Sequence, residues 1–409
     1  MSEAPALMPV ADARTRIVEA LSPLPSESVG IAEAAGRVLA RDITARVTQP
    51  PVSVSAMDGY AVRAKDVATV PATLTQIGTA PAGAAFEGAI AAGECVRIFT
   101  GGPVPAGADA IVIQEDTETQ GERITIKETA PAGKYIRPAG LDFAAGQVLL
   151  SAGVALGSRE VGLAAAANVP WLEVTRKPRV ALLATGDEIV RPGDPIGPNQ
   201  IASSNALALA AMIRAHGGEA LDLGIALDSR ESLLAMSAGA RGADLLITLG
   251  GASVGDHDLI QSVLGERGLQ VDFWRIAMRP GKPLLFGRIG ETPMLGLPGN
   301  PVSSLVCGLV FVVPALAKLL GRGADADSVR TVRLGRDLEP NDRRQDYLRA
   351  RLEPGPGGET VAVPFEKQDS SMLRLLTESD CLVIRAPHAP AAKAGDLTEM
   401  IPLTGAPTL

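Results

Sequence analysis

Two stretches of this 409-residue chain place glycines and carboxylates just after an apolar, strand-like run. Arg179 to Ala184 delivers Thr185-Gly186-Asp187-Glu188, and Asp244 to Leu249 delivers Gly250-Gly251-Ala252-Ser253-Val254-Gly255-Asp256-His257-Asp258. In an open α/β sheet, ligands bind beyond the carboxyl ends of the strands. Glycines let backbone N–H groups close on phosphate oxygens, and a following helix N-terminus adds partial positive charge. Carboxylates beside such a cradle suit Mg²⁺, which takes oxygen ligands. Ordinary strand-to-helix turns use the same residue types, but two loaded ends in one sheet favour an anion site.

Cations cluster twice. Phe273 to Gly290 contains Arg275, Arg279, Lys282 and Arg288 and no acidic residue; its Arg279-Pro280-Gly281-Lys282-Pro283 core is a rigid turn. Prolines fix donors in place, as oxyanion recognition requires. Arg343, Arg344, Arg349 and Arg351 flank a single Asp346 in the second cluster, with Ser370 and Ser371 further on. Between the clusters, Leu297-Pro298-Gly299-Asn300-Pro301-Val302-Ser303-Ser304 runs into a helix start. Its free N–H groups and hydroxyls suit a tetrahedral oxyanion, and equally an N-cap with proline in the first turn. Asp58 and Thr100 each sit beside glycines at strand edges, as surface turn residues also do.

Elements must position these groups. Helical periodicity runs from Met8 to Ala40, through Ala13-Ile17-Val18-Leu21 and Val29-Ile31-Ala35-Val38-Leu39. Short strand-like runs between Gly/Pro turns then predict an inserted all-β domain over 45–143. A helix over Ser158 to Ala167 resumes the first unit, giving a split N-terminal helical domain, 1–44 and 144–177. Strands alternating with helices over 178–324 predict a doubly wound parallel sheet, with helices at Ile201–His216 and Ser229–Ala240. Residues 325–409 read as a small C-terminal β domain. The fold class is therefore multi-domain α/β plus β.

Composition narrows the function. The net charge is −8 and only 12 residues are aromatic (7 Phe, 2 Trp, 3 Tyr), which argues against nucleic-acid binding. Cys95, Cys307 and Cys381 make neither a metal spacing nor a disulfide framework, which fits a reducing cytoplasm. Three histidines cannot build a His-rich metal centre. No signal peptide is apparent, and the apolar run Val302–Ala317 is short for a membrane span, so it reads as a buried helix. Walker, G-x-S-x-G and H-E-x-x-H patterns are absent. The residues alone lead to a multi-domain, metal-assisted enzyme acting on anions or nucleotide phosphates.

Six ordered motifs carry a more specific resemblance: SAMDGYAV, RIFTGGPVPAGADAIV, LLATGDEIVRPG, TLGGASVGDHD, AMRPGKPLLFG and GLPGNPVSSLV. Together they resemble the molybdopterin molybdenumtransferase (MoeA) family, related to the gephyrin E domain, over nearly the whole chain. The resemblance implies insertion of molybdate into adenylylated molybdopterin with Mg²⁺ and release of AMP. It also implies a homodimer whose cleft lies between the β insert of one subunit and the α/β and C-terminal domains of the other. Carried over by motif, the acidic and hydroxyl positions are Asp58, Thr100, Asp142, Glu188, Asp228 and Asp258, with Glu188 and Asp258 as Mg²⁺ ligands. The molybdate-side positions are Arg275, Arg279, Lys282, Ser303, Arg349 and Ser371; Gly250, Gly251 and Ser253 lie along the pterin phosphate. Relatives often carry Lys where this chain has Arg275 and Arg279, and the loop from Gln368 to Leu376 departs from the family pattern. Further partners implied are an upstream adenylyltransferase and recipient molybdoenzymes. Two other functions fit part of the pattern. One is the adenylyltransferase itself, whose fold resembles the 178–320 module alone. The other is a gephyrin-like scaffold, which goes with a fused domain and long linker.

Overall fold

The structure, a computed structural model, describes residues 7–250, 259–322 and 329–403. The chain opens with helix α1 (Val10–Glu19), whose buried residues Val10, Ala13 and Ile17 recur at helical spacing. They pack in the core of the central sheet, not with the N-terminal unit that precedes the insert.

The expected helix beyond it is absent. Pro23 and Pro25 end helical text, and Ser26–Gly30 instead pairs antiparallel with Trp171–Thr175. Short extended pieces make most of the split unit. Its own helix is Ser158–Ala166, started by a Glu160 carboxylate that accepts from the Gly157 N–H at 2.9 Å. Ala34, Leu39, Ile43, Phe143, Leu156 and Leu172 form its core.

The insert is a six-stranded mixed sheet built from β1 (Gly59–Val62), β2 (Ala72–Ala80), β3 (Glu94–Ile98), β4 (Ala110–Ile113), β5 (Thr117–Gln120) and β6 (Arg123–Ile126). Its order is β4-β1-β3-β2-β6-β5. Strand alternation divides its apolar residues between two faces: Tyr60, Val62, Cys95 and Val112 on one, Ala61, Val96, Ile98 and Ile111 on the other. Gly59 lets β1 and β4 close, since a Cβ there would lie 2.0 Å from the Val112 carbonyl oxygen.

The central sheet uses β7 (Arg179–Thr185), β8 (Glu219–Ala226), β9 (Leu245–Leu249), β10 (Leu269–Trp274), β11 (Leu285–Ile289) and β12 (Thr292–Leu297). They lie in the order β8-β7-β9-β12-β11-β10. The first four are mutually parallel, whereas β11 runs antiparallel to both neighbours. The sheet is therefore mixed, correcting the all-parallel expectation. Only Gly290 and Glu291 separate β11 from β12, too few for the crossover that parallel strands need.

Helices cover both faces. Val180, Leu182 and Ala184 meet α1, α2 (Asn205–Ala215) and the long apolar helix, while Ala181, Leu183 and Leu246 meet α3 (Arg230–Ser237) and α4 (Leu259–Glu266). The expected start of α2 at Ile201 moves to Asn205, because Ile201–Ala202 pairs with Ile189–Val190. Ser229 caps α3 by accepting from the Ser232 N–H at 3.2 Å.

The apolar helix spans Pro301–Leu319 as α5 (Pro301–Cys307), a π turn (Gly308–Val312) and α6 (Val313–Leu319). It is long and apolar enough to cross a membrane, yet 78% of that window is buried within the fold. The last unit is a closed five-stranded barrel. Strand β14 (Gln345–Pro354) pairs with both β15 (Thr360–Pro364) and β16 (Cys381–Arg385), and β13 (Arg330–Leu334) with β17 (Leu397–Pro402) completes the ring. Tyr347 and Leu382 leave the barrel's own core and join that of the central sheet.

Gly59→Ala is expected to lower stability by about 2 kcal/mol or more, because backbone lies where the methyl group must go. Urea unfolding of the variant beside wild type checks this, and an unchanged midpoint would refute the close approach.

Candidate functional site

The carboxyl ends of β7, β9 and β12 meet at Gly250. This glycine has φ +96°, its N–H donates to the Leu297 carbonyl at 3.2 Å, and a Cβ on it would lie 2.7 Å from the Thr185 carbonyl. A side chain would force the three ends apart. Gly299 packs against Gly250, and Asn205 at the start of α2 donates to the Gly299 carbonyl at 2.7 Å. Backbone and small polar groups thus line the switch point of the sheet. Gly251, Ser253 and Asp258 lie outside the described residues.

Beside this point stands a carboxylate group. Asp187 Oδ1 accepts from the Asp228 N–H at 3.1 Å. The Glu188 carboxylate folds over Gly186, where a Cβ would lie 2.2 Å from Oε2. Burial, reinforced by the like charges of Asp187 and Glu188, holds the Asp228 pKa above the ordinary value. Asp187 is the member sequence reasoning did not single out, although it adjoins Glu188. Among the described residues no His/Cys/Asp/Glu group is preassembled for a metal ion.

The loop 297–304 is joined by the barrel. Ser370 accepts from Asn300 Nδ2 at 3.0 Å through its hydroxyl and from the Val302 N–H at 3.1 Å through its carbonyl. Ser303 and Ser304 are buried in the first turn of α5, and the Ser304 hydroxyl has no partner among the described residues.

Arg349, 1% exposed, organises the loop that carries Ser370. Its guanidinium donates to Gln368 Oε1 at 3.3 Å, the Met372 carbonyl at 3.1 Å and the Lys367 carbonyl at 3.5 Å. Burial lowers its pKa, partly offset by Asp369. It therefore acts as a strut with a charge, not as an open anion donor. Ser371 donates its hydroxyl to Asp369 at 2.6 Å, and Asp369 is held below its ordinary pKa by that bond and by the Ser371 N–H.

The other expected cations divide. Arg279 gives its guanidinium to Asp346, bonding through both Nε (2.9 Å) and Nη2, and to Asn341 at 3.2 Å. Asp346 is only 3% exposed, and Met278–Arg279 pairs with Gln345–Asp346, so this cation joins sheet to barrel. Arg275 has φ +70° and stacks 3.9 Å over the Trp274 ring, with a buried Nε that has no partner among the described residues. Lys282 lines a cavity with Leu7, Asp342, Arg343, Arg344 and His388.

On the insert, Asp58 and Thr100 come together. Asp58 Oδ1 accepts from both the Thr100 N–H and hydroxyl, each at 2.7 Å, which lowers its pKa with help from Arg97. Arg97 stacks between the Tyr60 and Phe99 rings at 5.1 and 4.9 Å. Asp142 is exposed in a loop tied by its N–H to the Gln49 carbonyl at 3.0 Å, and no bond joins it to Asp58. The three cysteines are buried and free; burial pushes Cys95 and Cys381 up to about 12, so they serve as small apolar residues.

Comparison with known proteins matches the chain in three stretches. Residues 8–168 match the MoeA N-terminal region (domain I and II), 181–318 a probable molybdopterin binding domain, and 331–403 the MoeA C-terminal region (domain IV). The molybdopterin molybdenumtransferase of Nostoc sp. is 37% identical over 333 residues, 79% of this chain and 76% of that protein. That of Haemophilus influenzae is 33% identical over 95% of this chain and 97% of the relative. Two crystal structures of a molybdopterin biosynthesis MoeA protein from Pyrococcus horikoshii superpose with TM-scores of 0.83 and 0.85, at 33% and 25% identity. They cover 98% and 97% of this chain and 100% of theirs.

Thr100→Val removes the hydroxyl bond to Asp58 and should raise the Asp58 pKa towards the ordinary carboxylate value. Because the folded pKa is depressed, the bond stabilises the protein above the unfolded pKa and is lost as pH falls through the folded one. Carboxyl-carbon NMR titration of Asp58 in both proteins measures the shift; identical curves would rule the bond out.

Proposed function

Because the chain belongs to the MoeA family of molybdopterin molybdenumtransferases, we propose that it transfers molybdenum from molybdate to adenylylated molybdopterin, releasing AMP. Its place among the transferases of molybdenum cofactor biosynthesis follows from that membership. The observation that carries the finer reading is the meeting of three strand ends at Gly250 against Asn205 and the 297–304 loop. Such a cradle suits the phosphates of an adenylylated pterin. Molybdate is a tetrahedral dianion. The donors assigned to it are Arg275, Lys282, Ser303 and Ser371, with the buried charge of Arg349 behind the loop that presents Ser371. The dithiolene sulfurs belong to the pterin, so no cysteine cluster is required.

Mg²⁺ is the metal this reading implies. The oxygen donors of Asp187, Glu188 and Asp228 fit it in kind, and the mutual repulsion recorded at Asp228 is what a divalent cation relieves. Glu188, with Asp258, would hold the ion, which when bound neutralises charge on the pyrophosphate as AMP leaves. Asp58, kept ionised by Thr100, is assigned to orient the substrate from the insert.

Homodimerisation is part of the proposal. The insert joins the rest of the chain through the N-terminal unit, for example Gln49 with Phe143 and Ala45 with Gln147. A second copy would bring Asp58 and Thr100 over the Gly250 cradle. Free, buried thiols suit a cytoplasmic setting. The substrate must come from an adenylyl transfer onto molybdopterin, and the product must pass to recipient molybdoenzymes.

With Mg²⁺, adenylylated molybdopterin and molybdate, Asp58→Ala and Glu188→Ala should each slow AMP release at least about 100-fold, a difference of about 2.7 kcal/mol. Wild-type rates in both would remove these residues from the mechanism. Mixed and allowed to exchange subunits, the two variants should regain about a quarter of wild-type activity, since half the dimers are hybrids with one intact site. Failure to recover any activity after verified exchange would overturn the shared cleft.

A further inference from the structure

Arg275 stands at the same edge of the central sheet as the Gly250 cradle. Strand β10 is antiparallel to β11, and β11 to β12, so β10 and β12 run in the same direction and end on the same side. Arg275 is the first residue past the end of β10, two strands or roughly 10 Å from β12. Successive residues on a strand point to opposite faces, which would part Trp274 from Arg275. The left-handed backbone at Arg275, φ +70°, breaks that alternation and lays its guanidinium 3.9 Å from the centre of the Trp274 ring. Such a φ is uncommon and strained for a residue with a side chain. Backbone bonds hold it there. The Arg275 N–H donates to the Leu284 carbonyl at 3.0 Å, and its carbonyl accepts from the Met8 N–H at 3.3 Å. The Ile276 N–H then donates to the Lys282 carbonyl at 3.0 Å.

The ring is anchored, and the cation on it is not spent. Trp274 packs on the sheet face that α3 and α4 cover, so the indole is a fixed surface. Its Nε1 has no acceptor among the described residues, so the ring contributes its face and not a hydrogen bond. Arg279 and Arg349 give their Nε to Asp346 and Gln368, whereas the Arg275 Nε is buried with no acceptor among the described residues. Buried donors in folded proteins are nearly always paired, so this one points to an acceptor that arrives with a ligand. Stacking on an indole holds a guanidinium by its plane and leaves its N–H edge free for an oxyanion.

We infer that Trp274 is a positioning residue: its ring sets the plane of the Arg275 guanidinium and so tightens binding of an oxyanion substrate, without entering the chemical step. On the transferase reading, on which this role rests, that oxyanion is molybdate. The test is a double-mutant cycle on the full chain, with wild type, Trp274→Leu, Arg275→Lys and the double variant assayed for molybdate-dependent AMP release. Trp274→Leu should raise KM for molybdate about fivefold and leave kcat within about twofold of wild type. Trp274→Phe keeps an aromatic face and should recover most of that loss. Lysine has no plane to stack, so in the Arg275→Lys background the Leu substitution should change KM less than about twofold. An equal rise in both backgrounds, no rise at all, or a fall in kcat in place of a rise in KM overturns the role. A second readout needs no turnover. Trp171 and Trp274 are the two tryptophans, so in a Trp171→Phe protein the emission reports Trp274 alone. Molybdate alone should change that emission, and the change should be lost when Arg275→Gln removes the cation. If wild type releases no AMP, the transferase reading fails and the emission titration decides by itself. An Arg275-dependent response to molybdate then supports the positioning role, and its absence overturns it.

Discussion

The hydrogen atom that Gly250 carries in place of a Cβ is the constraint on which the rest of the site depends. Parallel strands β7, β9 and β12 all point their carboxyl ends one way, and their following segments compete for the same space. Only a residue without a side chain, at φ +96°, lets the Thr185 carbonyl and the 297–299 turn approach together. Once they do, Asn205 can bridge to Gly299, and the first turn of α5 is aimed across the sheet end. The carboxylates of Asp187 and Glu188 are then carried to the rim by β7, which is buried on both faces, and that of Asp228 by the more exposed edge strand β8.

Two polar junctions fasten the barrel to this sheet, and they differ in kind. Arg279 and Asp346 form an ion pair with one partner almost fully buried, whose geometry is reinforced by strand pairing. Asn300 and Val302 instead meet Ser370 through neutral hydrogen bonds, on a loop whose shape is set by Arg349 beneath it. A buried ion pair gives little net stability but penalises wrong arrangements strongly. Together these contacts fix how the barrel's loops face the sheet's switch point, which apolar packing of Tyr347 and Leu382 alone would specify less sharply.

The sequence showed best those features that a single residue type dictates. Ser229 was readable as the start of a helix, the double-faced apolar runs as a wound sheet, and the 297–304 motif as a helix start. It misled where local pattern met tertiary pairing. Val29 to Leu39 has helical spacing, yet Ser26–Gly30 pairs with a strand nearly 150 residues away, a partner no local window contains. The direction of β11 was hidden for a different reason, since it is set by a two-residue turn and not by its own composition. Arg279 and Arg349 looked like open anion donors because charge, and for Arg279 the neighbouring Pro280, is visible in a sequence. Their acceptors, Asp346 and the carbonyls of Lys367 and Met372, are brought to them only by the fold.

The apolar helix Pro301–Leu319 bears on how such a chain reaches its folded state. A segment able to pass for a membrane span is a hazard while it emerges from the ribosome, open to aggregation or misdirected insertion. Here almost every surface that covers it, from α1, α2, β7, β9 and β12, precedes it in the chain. A receiving groove can therefore be translated before the segment that fills it. Order of synthesis thus does part of the work of a chaperone, and moving this helix ahead of its partners by circular permutation would forfeit that protection.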